Sequence, residues 1–174
     1  LLKAGDTSLY TAKENGKNQY AFYKMELTQK AEYRFQIEQN LREAIEKQQL
    51  SLAYQPQIEV STGRIFGFEA LSRWYHPELG QVSPIDFIAT AEKIGMIKPL
   101  TEWVLKTACS QLIAWKETGI DTLRMAVNIS PSLFLNKEFV SLIKRIIEET
   151  GIVPSELVLE VTESIVQTDP RNLS

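Results

Sequence analysis

Three apolar runs of this chain each carry an oxygen-bearing side chain near one end. The side chains are Glu69, Asn128 and Glu160. Carboxylate and amide oxygens are hard donors of the kind that Mg²⁺ and Mn²⁺ prefer in proteins. Arg73 follows Glu69 by four residues, and its planar guanidinium suits the oxygen atoms of a phosphate. These residue types predict metal-assisted chemistry on a phosphate-containing substrate.

The elements that must position these side chains alternate in type along the chain. From residue 64 onward, the apolar patterns and the glycine and proline positions predict a strand, helices, a strand, a helix and a strand. Such alternation is typical of a parallel sheet or a barrel. The predicted strands are 51–58, 64–71, 123–129 and 157–162, and the predicted helices are 84–93, 100–117 and 136–150.

The turn at 61–63 is so short that it forces the first two strands to be antiparallel. A long helical pattern over 26–48 precedes them. Because an eight-stranded barrel takes about 250 residues, the predicted fold class is α/β, a partial TIM-like (β/α) barrel with an antiparallel first strand and a preceding linker helix. Barrels of this kind build their active sites at the carboxyl ends of the strands. Alternation places Glu69, Leu71 and Arg73 on one strand face.

The stretches 67–74 and 159–164, with the run around Asn128, resemble the EAL family of cyclic-di-GMP phosphodiesterases. The family takes its name from the tripeptide that begins at Glu69. The resemblance implies metal-dependent hydrolysis of cyclic di-GMP, a bacterial second messenger, to the linear dinucleotide pGpG. It also implies that Glu69, Asn128 and Glu160 bind the catalytic Mg²⁺ or Mn²⁺.

The same resemblance implies roles on the substrate side. Arg73 resembles the family's phosphate-contacting arginine, and a bidentate guanidinium makes such a contact well. Gln55, Leu71 and Pro84 match positions near the substrate. Glu163 resembles a glutamate that braces a substrate-side loop. Glu163 and Glu69 are the two residues that the resemblance implies to be catalytic.

Each of these residues has a plainer interpretation when taken alone. A glutamate at a strand end is most often a solvated rim residue. Asn128 lies shortly before Pro131 and could start a turn, Arg73 could form a surface ion pair, and Glu163 could be a charge at a helix start. Only the joint pattern favours the metal-site interpretation.

The resemblances divide the chain into three segments. Residues 1–25 resemble the last helix and strand of GGDEF diguanylate cyclase domains. The residue pattern at 4–13 and 16–18 carries this resemblance. Residues 26–40 are predicted to be a linker helix, and 41–174 the N-terminal half of an EAL barrel domain. The EAL family places an aspartate pair and a lysine further along. We therefore expect the 174-residue chain to be inactive by itself and to form a homodimer or otherwise self-associate through open sheet edges.

Composition and charge limit the classes of partner. Of the 174 residues, 44% are hydrophobic and 24% charged, which is typical of a soluble globular protein. The net charge of −3 gives no bulk electrostatic case for a nucleic-acid polymer. No apolar run approaches the roughly 20 residues of a membrane span, so we expect no membrane contact from this segment. The single cysteine, Cys109, fits a cytoplasmic location and is predicted to be a core residue, while His76 is predicted to be a turn residue.

Two other function classes stay open at this point. One is a domain that senses cyclic di-GMP without cleaving it, although the intact Glu69, Asn128 and Glu160 argue against ligand loss. The other is a structural module that serves dimerisation or regulation. The next roughly 120 residues of a parent gene, the length that a barrel needs, would discriminate best among these classes.

Overall fold

A computed structural model describes residues 9, 25–47, 49–120 and 123–161, with only the backbone for 25–27. Most of the predicted GGDEF remnant therefore lies outside the described residues. In chain order the elements are α1 (Met25–Glu46), β1 (Leu50–Ile58), β2 (Ile65–His76), β3 (Gly80–Val82), α2 (Pro84–Lys93), α3 (Ile97–Glu117), β4 (Arg124–Ile129), α4 (Pro131–Phe134), α5 (Phe139–Thr150), a 3₁₀ turn (Pro154–Glu156) and β5 (Leu157–Val161).

The strands form one sheet in the order β1-β2-β4-β5, and the short β3 pairs with the end of β2. β1 and β2 are antiparallel because the turn between them is short: Glu59 N donates to Arg64 O over 2.9 Å, and Gly63 adopts a φ of 68°. The strands β2, β4 and β5 are parallel. The prediction of an antiparallel first strand followed by a parallel (β/α) arrangement is confirmed.

The second strand is longer than the predicted 64–71. It continues to His76 because its last residues form a hairpin with β3, in which Trp74 lies opposite Val82. Gly80 has a φ of 67°, and a left-handed residue of this kind closes a three-residue hairpin loop. The hairpin therefore extends β2 well past the glutamate that was expected near its end.

The hydrophobic core lies between the sheet and the helices. Trp74 and Met125 on the strands are fully buried, as are Leu105 of α3 and Ile146 of α5. Burial of each large apolar side chain contributes about 1.5–3 kcal/mol to folding. The core thus fixes one face of the sheet against the helices.

The helix α1 packs against the core mainly through its second half, and Tyr33 of its first half adds a partly buried contact. Ile37 and Leu41 have no exposed surface, whereas Phe35 is 61% exposed.

In the described part of the chain, no helix combines the length and the apolarity that a bilayer crossing requires.

Two helix starts differ by three residues from the sequence prediction. α3 begins at Ile97 instead of 100, since Pro99 is tolerated in a first helical turn. α5 begins at Phe139 instead of 136, because Asn136 Oδ1 accepts a hydrogen bond from Glu138 N over 2.9 Å and closes a turn there. Both differences leave the strands that carry the site in place.

Candidate active site

The polar residues predicted for the site share one face of the sheet. In the register of the strands, Gln55 lies opposite Glu69, Glu69 opposite Ala126, and Asn128 opposite Glu160. Residues in register on neighbouring strands point to the same side. The alternate residues, such as Val127, are buried against the helices. The predicted site residues therefore lie on the face turned away from the helices, which we call the polar face.

Glu69 and Asn128 are in direct contact across the β2–β4 boundary. Asn128 Nδ2 donates a hydrogen bond to Glu69 Oε1 over 2.6 Å. Glu69 is half-buried and Asn128 is exposed, so both side chains remain accessible from the polar face. The strands thus bring together two residues that are 59 positions apart in sequence.

Glu160 contacts a residue that the sequence analysis did not name. Gln57 Nε2 donates to Glu160 Oε1 over 3.5 Å, from β1 across the polar face to β5. Gly67 lies opposite Gln57 on one side and Arg124 on the other: a Cβ atom there would approach Gln57 Oε1 to 3.3 Å and the Arg124 backbone oxygen to 2.8 Å. Because Gly67 has no side chain, Gln57 can cross the sheet and β2 can pair closely with β4.

Arg73 lies at the rim of a cavity of about 410 Å³. Its guanidinium donates to the Ser72 backbone oxygen over 3.0 Å. Leu71, Pro84 and Asn128 line the same cavity. Three of the predicted substrate-side residues, with one predicted metal ligand, therefore surround one space at the carboxyl end of the sheet.

The predicted substrate-side residue Gln55 is not among the residues that line this cavity. Gln55 is exposed on the polar face and lies opposite Glu69 in the β1–β2 register. Glu163 lies outside the described residues.

The donor set suits a hard divalent cation by its chemistry. Glu69 and Glu160 offer carboxylate oxygens, and Asn128 offers an amide oxygen, from three neighbouring strands. Among the described residues, no group of three or more His, Cys, Asp or Glu side chains could hold a metal ion. Mg²⁺ usually takes one or two protein carboxylates and completes its shell with water and substrate phosphate. Two carboxylates and an amide on one accessible face fit that preference.

The two other reactive residue types serve the fold. His76 ends β2, and its Nδ1 accepts hydrogen bonds from the backbone N–H groups of Glu78 and Leu79 over 3.2 and 3.3 Å. Burial raises the pKa of the Cys109 thiol to about 11, which keeps it protonated and unreactive. Cys109 has the predicted core role, whereas His76 ends a strand instead of lying in the loop, and its side chain holds the turn that follows.

Gln57 and Gly67 on the polar face were not predicted as site residues from the sequence. A usable signal existed for Gln57, because it lies two residues after Gln55 and must share its strand face. Gly67 offered a weaker signal, since a glycine inside a strand often marks a close backbone approach. Neither signal identifies Glu160 as the partner, because that contact depends on side-chain rotamers.

Comparison with known proteins gives one family and several relatives. The family model described as EAL domain matches residues 38–174. The chain is 37% identical over 169 residues to the bifunctional diguanylate cyclase/cyclic di-GMP phosphodiesterase MucR of Pseudomonas aeruginosa, covering 97% of this chain and 25% of that protein. It is 36% identical over 175 residues to the cyclic di-GMP phosphodiesterase PdeR of Escherichia coli, covering all of this chain and 26% of that protein.

A solved structure is also similar. It is the PaMucR phosphodiesterase in complex with c-di-GMP, at 40% identity and a TM-score of 0.73. The similarity covers 77% of this chain and 54% of that one. The chain therefore spans about half of that solved structure and about a quarter of the two relatives.

Proposed function

The chain belongs to the EAL domain family, and from that premise we propose that it forms part of a cyclic-di-GMP phosphodiesterase domain in a longer protein. The proposed reaction is hydrolysis of one phosphodiester bond of cyclic di-GMP, which opens the ring to linear pGpG. The name of the Escherichia coli relative and the c-di-GMP complex of the solved neighbour support this substrate.

One observation carries the proposal: Glu69 and Asn128 touch across two strands, while Glu160 lies in register with Asn128 on the next strand. We propose that these three residues hold Mg²⁺ or Mn²⁺. When bound, such an ion polarises a phosphodiester and lowers the pKa of water. A bound cation would also offset the two carboxylates, which would otherwise repel an anionic substrate.

The substrate side of the proposed site is the cavity beside Arg73. One guanidinium N–H group donates to a backbone oxygen, and a guanidinium has five such donors, so others remain for a phosphate. Leu71 and Pro84 provide apolar walls, and Gln55 provides an amide on the polar face. The cavity volume of about 410 Å³ falls within the usual range for small-molecule sites.

Several finer points stay predictions from the sequence. They are the bracing role of Glu163, the GGDEF remnant at 1–25 with its linker helix at 26–40, and the EAL barrel segment at 41–174. The bifunctional name of the Pseudomonas aeruginosa relative is consistent with a GGDEF neighbour. Self-association, a cytoplasmic location and inactivity of the isolated 174-residue chain also stay predictions.

The test is hydrolysis of cyclic di-GMP by the intact protein that contains this chain. We expect pGpG as the product, and activity that is lost with a chelator and restored by Mg²⁺ or Mn²⁺. Glu69→Gln, Asn128→Ala and Glu160→Gln should each lower kcat/KM about 100-fold or more, the scale of a lost metal contribution. Their thermal melting should stay close to that of the unmodified protein.

The matched control is Glu148→Gln, which neutralises an exposed glutamate on α5 and should leave turnover unchanged. Full activity in any of the three site variants would remove that residue from the site. Tight binding of cyclic di-GMP without turnover in the unmodified protein would instead support a sensing domain.

A further inference from the structure

A hydrogen-bonded cluster joins the end of α2 to the chain just after β4. Ser130 Oγ donates to Glu92 Oε1, and Ser132 Oγ lies 3.4 Å from the same oxygen. The two hydroxyls are 2.8 Å apart. Glu92 thus connects a helix to the segment that follows the strand carrying Asn128.

The Ser130 hydroxyl does not cap the helix that it precedes. Ser130 is the N-cap residue of α4, where a serine oxygen commonly accepts a hydrogen bond from the first helical turn. Here its side chain makes no such capping bond and donates to Glu92 instead. The Ser130 hydroxyl thus bonds to Glu92 and Ser132 and not to the first turn of α4.

The cluster lies next to the proposed metal ligand. Asn128 is two residues before Ser130, and both line the cavity together with Arg73 and Glu92. The helix-facing neighbours of Asn128 hold the strand from the core side, since Val127 and Ile129 are buried. Glu92 holds the chain from the cavity side, directly after the strand ends.

We propose that Glu92 is a positioning residue for the reaction. By fixing Ser130, it sets the direction in which the backbone leaves β4, and so keeps the Asn128 amide directed at Glu69. The kinetic consequence rests on the proposed function, whereas the structural consequence does not.

The exposure of the cluster separates this role from a simple contribution to stability. Glu92 and Ser132 are exposed and Ser130 is half-buried, and polar interactions of exposed groups contribute little to folding. Loss of Glu92 should thus change the melting temperature only slightly. Partners that orient ligating side chains nevertheless commonly change activity or metal affinity about 10- to 100-fold.

The experiment uses the intact protein and four variants. Glu92→Ala and Ser130→Ala should each lower kcat about 10-fold or more, with the KM for cyclic di-GMP within about threefold and a higher Mn²⁺ concentration at half-activation. Glu92→Gln should retain most activity, because its amide oxygen still accepts from Ser130. The kcat of the double variant Glu92→Ala/Ser130→Ala should be no lower than that of the less active single variant. All three variants lose the same interaction.

Crystal structures of Glu92→Ala and Ser130→Ala provide a readout that is independent of turnover. We expect the Asn128–Glu69 hydrogen bond of 2.6 Å to be broken in both. The control is Glu38→Ala, because Glu38 pairs over 3.3 Å with Lys93, the neighbour of Glu92, but belongs to α1. This variant should retain full activity and an intact Asn128–Glu69 contact.

The outcomes distinguish the two proposals. A kcat for Glu92→Ala and Ser130→Ala within twofold of the unmodified protein, or an unbroken Asn128–Glu69 contact in both, would overturn the positioning role. If the unmodified protein does not hydrolyse cyclic di-GMP, the proposed function fails, and the crystal structures still decide the role of Glu92. If Glu92→Ala does not fold, Ser130→Ala decides the role of Glu92, because it removes the same hydrogen bond from the other partner.

Discussion

Arg73 and Trp74 are adjacent in β2 but belong to opposite faces of the sheet. Trp74 is fully buried, and its ring centroid lies 6.0 Å from that of Phe87 in a T-shaped contact. Arg73 is half-buried at the rim of a cavity. One strand therefore supplies both a large apolar contribution to folding and a charged group beside the cavity.

The comparison extends to the whole sheet. The helix-facing side carries buried apolar residues such as Met125 and Val127, while the polar face carries accessible groups such as Glu69 and Asn128. Because a strand alternates its side chains, the two faces can vary almost independently. Substitutions on the helix-facing side should change stability, and those on the polar face should change binding or turnover.

The largest expected effect is on the helix-facing side. Trp74→Ala should lower the free energy of unfolding by about 3–5 kcal/mol, because it removes a fully buried aromatic side chain and leaves a cavity. Urea denaturation of the two proteins measures the difference. The neighbouring Tyr75→Ala serves as the control. Because Tyr75 is 72% exposed, its removal should lower the free energy of unfolding far less. Equal losses in the two variants would contradict the division between faces.

The next effect concerns binding on the polar face. Arg73→Ala should weaken cyclic-di-GMP binding by about 1.5–3 kcal/mol, the scale of a hydrogen bond to a charged group. Arg73→Lys should recover only part of this, since an ammonium lacks the planar fork. Calorimetry measures both, with the exposed Arg42→Ala on α1 as the control. Unchanged affinity in both Arg73 variants would exclude the phosphate contact.

The smallest effect belongs to the ion pairs outside the sheet. A hydrogen bond from Arg145, with a second from Lys106, holds the pKa of the Glu102 carboxyl below its usual range. A lowered pKa in the folded state adds stability above the unfolded pKa, and this stability is lost as pH falls through the folded value. Glu102→Gln should therefore cost less than about 1 kcal/mol at pH 7.

Urea denaturation at pH 7 and at pH 3 checks this prediction. The difference in free energy of unfolding between Glu102→Gln and the unmodified protein should shrink at the lower pH. It should also shrink in 1 M salt, where the screening length is only about 3 Å. A difference that grows on acidification would reverse the inferred sign.

Sequence periodicity predicted the faces of the strands better than their lengths. Alternation alone was enough to group Glu69, Leu71 and Arg73, and the short turn after β1 was enough to fix the antiparallel first strand. The end of β2 was missed because its hairpin partner, Gly80–Val82, has only three residues. So short a strand carries almost no periodic signal, although Gly80 marks its turn.

The contacts within the site were less predictable than the residues. Asn128 and Glu69 were both named, but their hydrogen bond depends on the register of two parallel strands and on side-chain rotamers. The same holds for Glu92, which lies in a helix with no distinctive motif and meets Ser130 only through tertiary packing. Local sequence patterns contain no information on such contacts between side chains that are distant in sequence.

The hairpin that lengthens β2 has a thermodynamic consequence for Arg73. Among the described residues, β2 pairs with β4 over Gly67 to Ala70. The Arg73 backbone is held by antiparallel partners instead: Ser51 lies opposite it, and β3 pairs from Trp74 onward. Ordering a mobile segment at the moment of binding costs conformational entropy. Because this backbone is ordered before any ligand arrives, only the long side chain has freedom left to lose, and amide hydrogen exchange at Arg73 should be slow with or without ligand.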